Sequence, residues 1–215
     1  MGYQFFKLER TGQVTTVIID KPPMNTLDKD LYPELHALCD ELDADSGTRA
    51  IVFASRNPKV FIAGADIKEM TTYRFEEEWI ENRISTVHKA LNRVEDLKKP
   101  TVAAIEGHAL GGGCEFSLCC DFRFMSRGRW LIGLPEIALG IIPGGGGTLR
   151  LPRVLGYGKA SEIILTGGKM GADEAERIGL IHRACDEGKT LAAAQEFAKL
   201  LAAQAPVAAS LAKQC

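Results

Sequence analysis

The sequence predicts an α/β fold with substantial parallel strand pairing. Short apolar segments, glycine-containing loops and helix-patterned stretches recur in that order along most of the chain. The strand candidates are too short and too rich in β-branched residues to be buried helices. Nothing in the 215 residues has the composition of a linker or a low-complexity tract. The expectation is therefore one domain over 1–215, large enough to bury a core without staples.

Phe5–Glu9 and Val14–Ile19 flank Thr11-Gly12 and read as a hairpin closed off by Lys21-Pro22-Pro23. Asp30 precedes Leu31, Leu35, Leu38 and Leu42, which have the spacing of an amphipathic helix. Ala50–Ala54 reads as a buried strand running into a loop from Ser55 to Asp66. From about Phe75 to Leu97 the chain is polar and helix-prone, with Trp79, Ile84, Val87 and Leu91 on one face, and Lys99-Pro100 ends it. Thr101–Ile105 is a strand, a helix opens near Cys114 after Gly111-Gly112-Gly113, and Phe122–Met125 is a further strand. Pro143-Gly144-Gly145-Gly146-Gly147 leads into the next helix. From Lys159 onward the composition is Ala-, Leu- and Glu-rich and largely helical, with breaks at Gly167-Gly168 and Gly179.

Lys plus Arg number 26 against 28 for Asp plus Glu, a net charge of -2. That balance gives no electrostatic reason to expect nucleic acid or an anionic membrane as partner, although local basic groups remain available to a phosphorylated ligand. Six cysteines without a C-x-x-C pair read as reduced thiols, with Cys114, Cys119 and Cys120 in an apolar stretch as small core residues. No Cys/His ligand spacing indicates a metal, and no redox cofactor is indicated. The N-terminus has no signal- or transit-peptide pattern, and no apolar run reaches spanning length, so the expected location is the cytoplasm.

Three features carry candidate chemistry. In Gly111-Gly112-Gly113-Cys114-Glu115, glycines permit close backbone approach to a ligand, and a helix opening there presents free N–H groups to an anion. The plainer alternative is a tight turn, with Glu115 complementing a helix N-terminus. Glu136, in Pro135-Glu136-Ile137, is either a solvated loop carboxylate or the second member of an acid–base pair. Phe61 to Lys68 is either a small-residue loop offering N–H groups or a plain strand-to-helix connection with Asp66 as cap. A P-loop fails because Gly144–Gly147 is not followed by Lys-Ser or Lys-Thr. The four histidines are scattered and no serine sits at a recognisable elbow.

Taken together, the segments Phe61–Met70, Lys99–Glu115 and Gly133–Thr148, continued by Leu165-Thr166-Gly167, Ala172, Ala175 and Gly179-Leu180, resemble the crotonase (enoyl-CoA hydratase/isomerase) family. The resemblance covers essentially the whole chain. It implies a spiral of repeated ββα units over about 1–158, followed by a mostly helical part over about 159–215. It implies a trimer or pair of trimers, with an acyl-CoA thioester as the substrate and coenzyme A as part of it. The N–H groups of Ala65 and Gly112 match the family's oxyanion hole. Glu115 and Glu136 match the carboxylates of its hydratases, one activating a water and the other managing the α-carbon proton. Ala63, Ala65, Asp66, Ile67 and Lys68 match the segment around coenzyme A. The implied reaction is hydration of a 2-enoyl-CoA, with double-bond isomerisation or non-catalytic acyl-CoA binding as alternatives. Two departures stand out. Leu134 replaces a residue that is polar in some family hydratases, which predicts an altered pocket lining. The chain also ends at Cys215, where the family continues with further helices, which predicts an exposed apolar patch.

Overall fold

The computed structural model describes residues 2–66, 69 and 76–215; the side chains of Trp79, Ile80 and Arg83 lie outside the described residues, as do Ile67 and Lys68. Ten strands and eight α-helices are described. In chain order they are β1 (Phe6–Thr11), β2 (Val14–Ile19), α1 (Leu31–Ala44), β3 (Ala50–Ser55), β4 (Val60–Ile62) and α2 (Glu77–Glu95). There follow β5 (Thr101–Ile105), β6 (His108–Leu110), α3 (Gly112–Cys119), β7 (Phe122–Ser126) and β8 (Ile132–Gly133). The last are α4 (Gly147–Leu155), α5 (Tyr157–Thr166), β9 (Lys169–Met170), α6 (Ala172–Arg177), β10 (Arg183–Cys185), α7 (Thr190–Ala202) and α8 (Pro206–Gln214).

The expected hairpin is present, with β1 antiparallel to β2. From β2 onward, β3, β5, β7 and β10 add in parallel, giving one six-stranded sheet in the order β1-β2-β3-β5-β7-β10. A parallel sheet must be covered on both faces, and successive side chains divide between them. Val17, Ile19, Ile51, Phe53, Ala103 and Ile105 point into the larger core with α1, α2 and α3. Ala50, Val52, Ala54, Val102, Ala104 and Phe124 point the other way, onto α7. Helix α7 presents Ala194, Ala198 and Ala202 at intervals of four, all buried, so its axis seats close to the sheet. Phe197 locks it with ring contacts to Phe122 at 4.8 Å and Phe124 at 5.3 Å.

A second, four-stranded sheet, β4-β6-β8-β9, was not foreseen. Its strands are two or three residues long, below what alternation makes legible. Val60–Ile62 lies in the stretch expected to be a loop and Lys169–Met170 in the stretch expected to be largely helical, as does Arg183–Cys185 of the larger sheet. Two helix starts bear on the site. Helix α1 is capped by Asp28, whose Oδ1 accepts the N–H of Leu31 at 3.0 Å, while Asp30 makes no side-chain cap bond. Helix α3 opens at Gly112, within the glycine run and two residues before Cys114. No helix among the described residues is long and apolar enough to cross a membrane.

Candidate active site

Strands β4, β6 and β8 run parallel, so their carboxyl ends open on one side. Beyond them come Ala63-Gly64-Ala65, Gly111-Gly112 and Pro135-Glu136, and these segments, far apart in sequence, meet around one cavity of about 310 Å³. Its remaining walls are mainly apolar: Leu27 and Tyr32 on one side, Ile84, Val87 and Leu91 from α2, and Leu139, Ile141 and Ile142 beyond Glu136.

Glycine is required at two of these corners. Gly111 has φ 53° and ψ −121°, a conformation barred to L side chains. At Gly113 an added β-carbon would lie 2.0 Å from the Ile62 carbonyl oxygen, so α3 rests directly on the end of β4 only because nothing protrudes there. This contact brings the start of α3 beside Ala65. A β-carbon on Gly112 would be 3.5 Å from the Ala65 nitrogen. The Leu27–Ala65 bridge uses the Gly64 carbonyl (from Leu27 N–H, 2.9 Å) and the Asp66 N–H (to Leu27 O, 3.3 Å). The Ala65 N–H therefore faces away from Leu27. Gly112 is the first residue of α3, where an N–H has no acceptor within the helix.

Glu115 lies one turn into α3 and is 4% exposed. Its Oε1 accepts the N–H groups of Gly145 and Gly147, each at 2.8 Å. Burial pushes its carboxyl up, opposed by those two amides and then by the charges of Arg150 and His88. Glu136 opens a 3₁₀ turn, Glu136–Leu139, rather than standing in a plain loop, and it too is buried. Among the described residues its Oε2 is buried with no hydrogen-bond partner. Burial pushes the Glu136 carboxyl up to about 7, and the negative charge of Glu115 adds to the effect. The two carboxyls are thus in unequal settings: one held by two loop amides, the other opposed in its burial only by its own backbone N–H and with Oε2 unpartnered among the described residues.

Glu115, Glu136, Ala63, Ala65 and Gly112 all line the cavity. Asp66 stands just outside it, its Oδ1 accepting the Glu69 N–H at 3.2 Å. Ile67 and Lys68 lie outside the described residues. Leu134 does not line the cavity, contrary to expectation. It is fully buried behind the turn at Gly147, where its Cδ1 would be 3.0 Å from a β-carbon. The amides of Gly145 and Gly147, and Arg150 behind them, were not singled out. The glycine run at 144–147, which the sequence marks as a helix approach within the family-like segment Gly133–Thr148, is the available signal.

The model of the family described as enoyl-CoA hydratase/isomerase matches residues 9–215. The chain belongs to the enoyl-CoA hydratase/isomerase family. Among its relatives is the short-chain-enoyl-CoA hydratase of Clostridium acetobutylicum, 40% identical over 96% of this chain and 78% of that protein. Another is the crotonyl-CoA hydratase of Syntrophomonas wolfei, 34% identical over 99% of this chain and 81% of that protein. The crystal structure of enoyl-CoA hydratase from Bacillus anthracis superposes with a TM-score of 0.92 at 36% identity, covering 98% of this chain and 81% of that one. The superposition extends over nearly the whole chain, so both sheets belong to the shared fold.

Proposed function

We propose that this protein is an enoyl-CoA hydratase, adding water in the syn sense to a 2-enoyl-CoA thioester to give a 3-hydroxyacyl-CoA. The observation that carries this reading is the meeting of two buried glutamates, in unlike environments, on the cavity that Ala65 and Gly112 also line.

In the proposed reaction the N–H groups of Ala65 and Gly112 bind the thioester carbonyl oxygen. As negative charge develops on that oxygen the β-carbon becomes electrophilic; one such donor is typically worth roughly 3–4 kcal/mol. Glu115, raised by burial and oriented by two amides that partly offset it, takes a proton from water in its ionised form as the C–O bond to the β-carbon forms. The π electrons move toward the thioester as an enolate. Glu136, its carboxyl pushed up to about 7 by burial, gives its proton from the protonated form to the α-carbon, and the enolate collapses to the product. Positioned acid and base groups contribute about 10²–10⁴-fold. A carboxyl that must donate at neutral pH needs a raised pKa, and apolar walls around Glu136 supply one. The segment Ala63 to Lys68, including Ala63, Ala65, Asp66, Ile67 and Lys68, is assigned to coenzyme A. No metal or redox group is needed for this chemistry.

The same reading places the protein in the cytoplasm, in fatty-acid β-oxidation, as a trimer or pair of trimers. Buried free thiols at Cys39, Cys114, Cys119, Cys120 and Cys185 support a reducing compartment. Exposed Leu139, Ile142, Leu149 and Leu165 support burial against further protein. The deciding experiment follows loss of enoyl-thioester absorbance from crotonyl-CoA and identifies the product by mass. Formation of 3-hydroxybutyryl-CoA is expected. Binding without turnover, or a shifted double bond without added water, overturns the reading.

A further inference from the structure

Helix α2 meets the glycine loop that holds Glu115 through a second set of contacts on the far side of that loop. The Arg150 side chain is 4% exposed, at the centre of these contacts. Its Nη1 donates to the Gly145 carbonyl at 2.9 Å. Its Nε donates to Glu95 Oε2 at 2.8 Å and its Nη2 to Asn92 Oδ1 at 2.6 Å, both on α2. One turn earlier on the same helix, His88 Nε2 donates to the Gly144 carbonyl at 2.8 Å. The carbonyl groups of 144 and 145 are thereby drawn toward α2. The N–H groups of Gly145 and Gly147 point the other way, onto Glu115 Oε1.

We propose that Arg150 is a positioning residue for Glu115: by holding the Gly145 carbonyl it fixes the 145–146 peptide that lies between the two peptides whose N–H groups orient the carboxylate, and it places a positive charge behind them. The inference rests on the hydratase reading, in which Glu115 is the base. A guanidinium suits the task because its planar fork serves three acceptors at once, whereas an ammonium at this place reaches fewer and in less fixed directions. Space enforces the arrangement as well. A β-carbon on Gly145 would lie 2.6 Å from Glu115 Oε2, and one on Gly146 would lie 2.1 Å from Arg150 Nη1. The run of glycines is what lets the carboxylate, the loop and the guanidinium stack in contact. Gly146 also has φ 100°, in the region that favours glycine.

The groups facing Glu115 are Glu136 from the 3₁₀ turn, Arg150 from α4, His88 from α2 and the buried thiols Cys114 and Cys119 on its own helix. Glu95 stands behind the guanidinium. Of these only Arg150 both carries permanent positive charge and touches the loop. Its removal raises the pH at which the Glu115 carboxylate forms.

Arg150→Lys and Arg150→Met test this in the full-length protein. With crotonyl-CoA as substrate, kcat is expected to fall about 10–100-fold, the loss typical of a misplaced catalytic group, with KM within about twofold of wild type. Arg150→Lys should retain more activity than Arg150→Met. In both, the acid limb of the kcat–pH profile should move to higher pH. A variant that loses activity only by unfolding would show none of these separations, and a thermal melt identifies it. Amide hydrogen exchange at Gly145 and Gly147 gives a readout independent of turnover: both amides should lose protection in Arg150→Lys. Unchanged kcat with an unmoved acid limb, or unchanged exchange at both amides, overturns the assignment. If wild type turns nothing over, the hydratase reading fails on its own, and the exchange measurement still decides the role of Arg150.

Discussion

Gly111 stands directly against the carboxylate of Glu136: a β-carbon at that glycine would lie 3.1 Å from Oε1 and 3.5 Å from the carboxyl carbon. The bend that ends β6 and the placement of the proposed acid are therefore one structural requirement. Gly111→Ala adds a methyl group at a position with φ 53° and ψ −121°, which costs about 1–3 kcal/mol in backbone strain. It also displaces the Glu136 side chain. The expected result is a lower urea midpoint together with a fall in turnover. Full activity in a destabilised variant would separate the bend from the acid.

Glu136→Gln removes the ionisable proton while keeping the shape. Hydration is expected to drop by about 10²–10⁴-fold, with binding of an acyl-CoA ester largely intact. Turnover under saturating crotonyl-CoA and calorimetric titration with a non-reacting acyl-CoA check the two halves. Wild-type turnover would remove Glu136 from the mechanism.

Glu136 also sets a pH dependence for stability, with a definite sign. Its folded pKa of about 7 lies above the ordinary value of 4.5, so between those limits the folded state binds more protons than the unfolded one. The contribution is neutral below about pH 4.5 and becomes destabilising as pH rises toward 7, reaching up to about 3 kcal/mol. Glu136→Gln should therefore be more stable than wild type at pH 8 and nearly equal to it at pH 4. Urea melts at the two pH values measure the difference. A gap that is the same at both would contradict the burial of an ionising group.

The proposed acid must be protonated, so kcat/KM for hydration should decline as pH rises through about 7. The decline belongs to the free enzyme and should be absent from the residual activity of Glu136→Gln. A rate flat to pH 9 in wild type would mean that Glu136 does not work as an acid.

Ala198 is fully buried between α7 and the six-stranded sheet, in a seam of alanines. Ala198→Leu overfills that seam and should cost about 1–3 kcal/mol of stability. The cavity lies on the other side of the sheet, so kcat and KM should stay near wild type at a temperature where the variant is folded. A thermal melt and a turnover assay together test the separation of the two cores.

The sequence by itself determined the α/β class, the hairpin, the central strands at 50–54, 101–105 and 122–125, the helix carried by Leu31, Leu35, Leu38 and Leu42, and the helix within about 75–97. The helices carry the 3.6 period and the central strands read as short continuous apolar runs, buried on both faces in the fold, so local pattern and tertiary burial agree. Glu115, Glu136, Ala65 and Gly112 were legible only through ordered motifs at compatible spacing; taken singly, each fitted a turn or a solvated face equally well. Tertiary structure alone decided that strands as short as 60–62, 108–110 and 132–133 would pair into a second sheet, because a strand of two or three residues has no period to read. It also decided that both glutamates and the Ala65 and Gly112 amides share one cavity. That convergence depends on contacts made by the absence of side chains, such as α3 seated on Ile62 at Gly113 and the 144–147 loop stacked between Glu115 and Arg150. A glycine states in the sequence that something may come close; only the folded chain says what does.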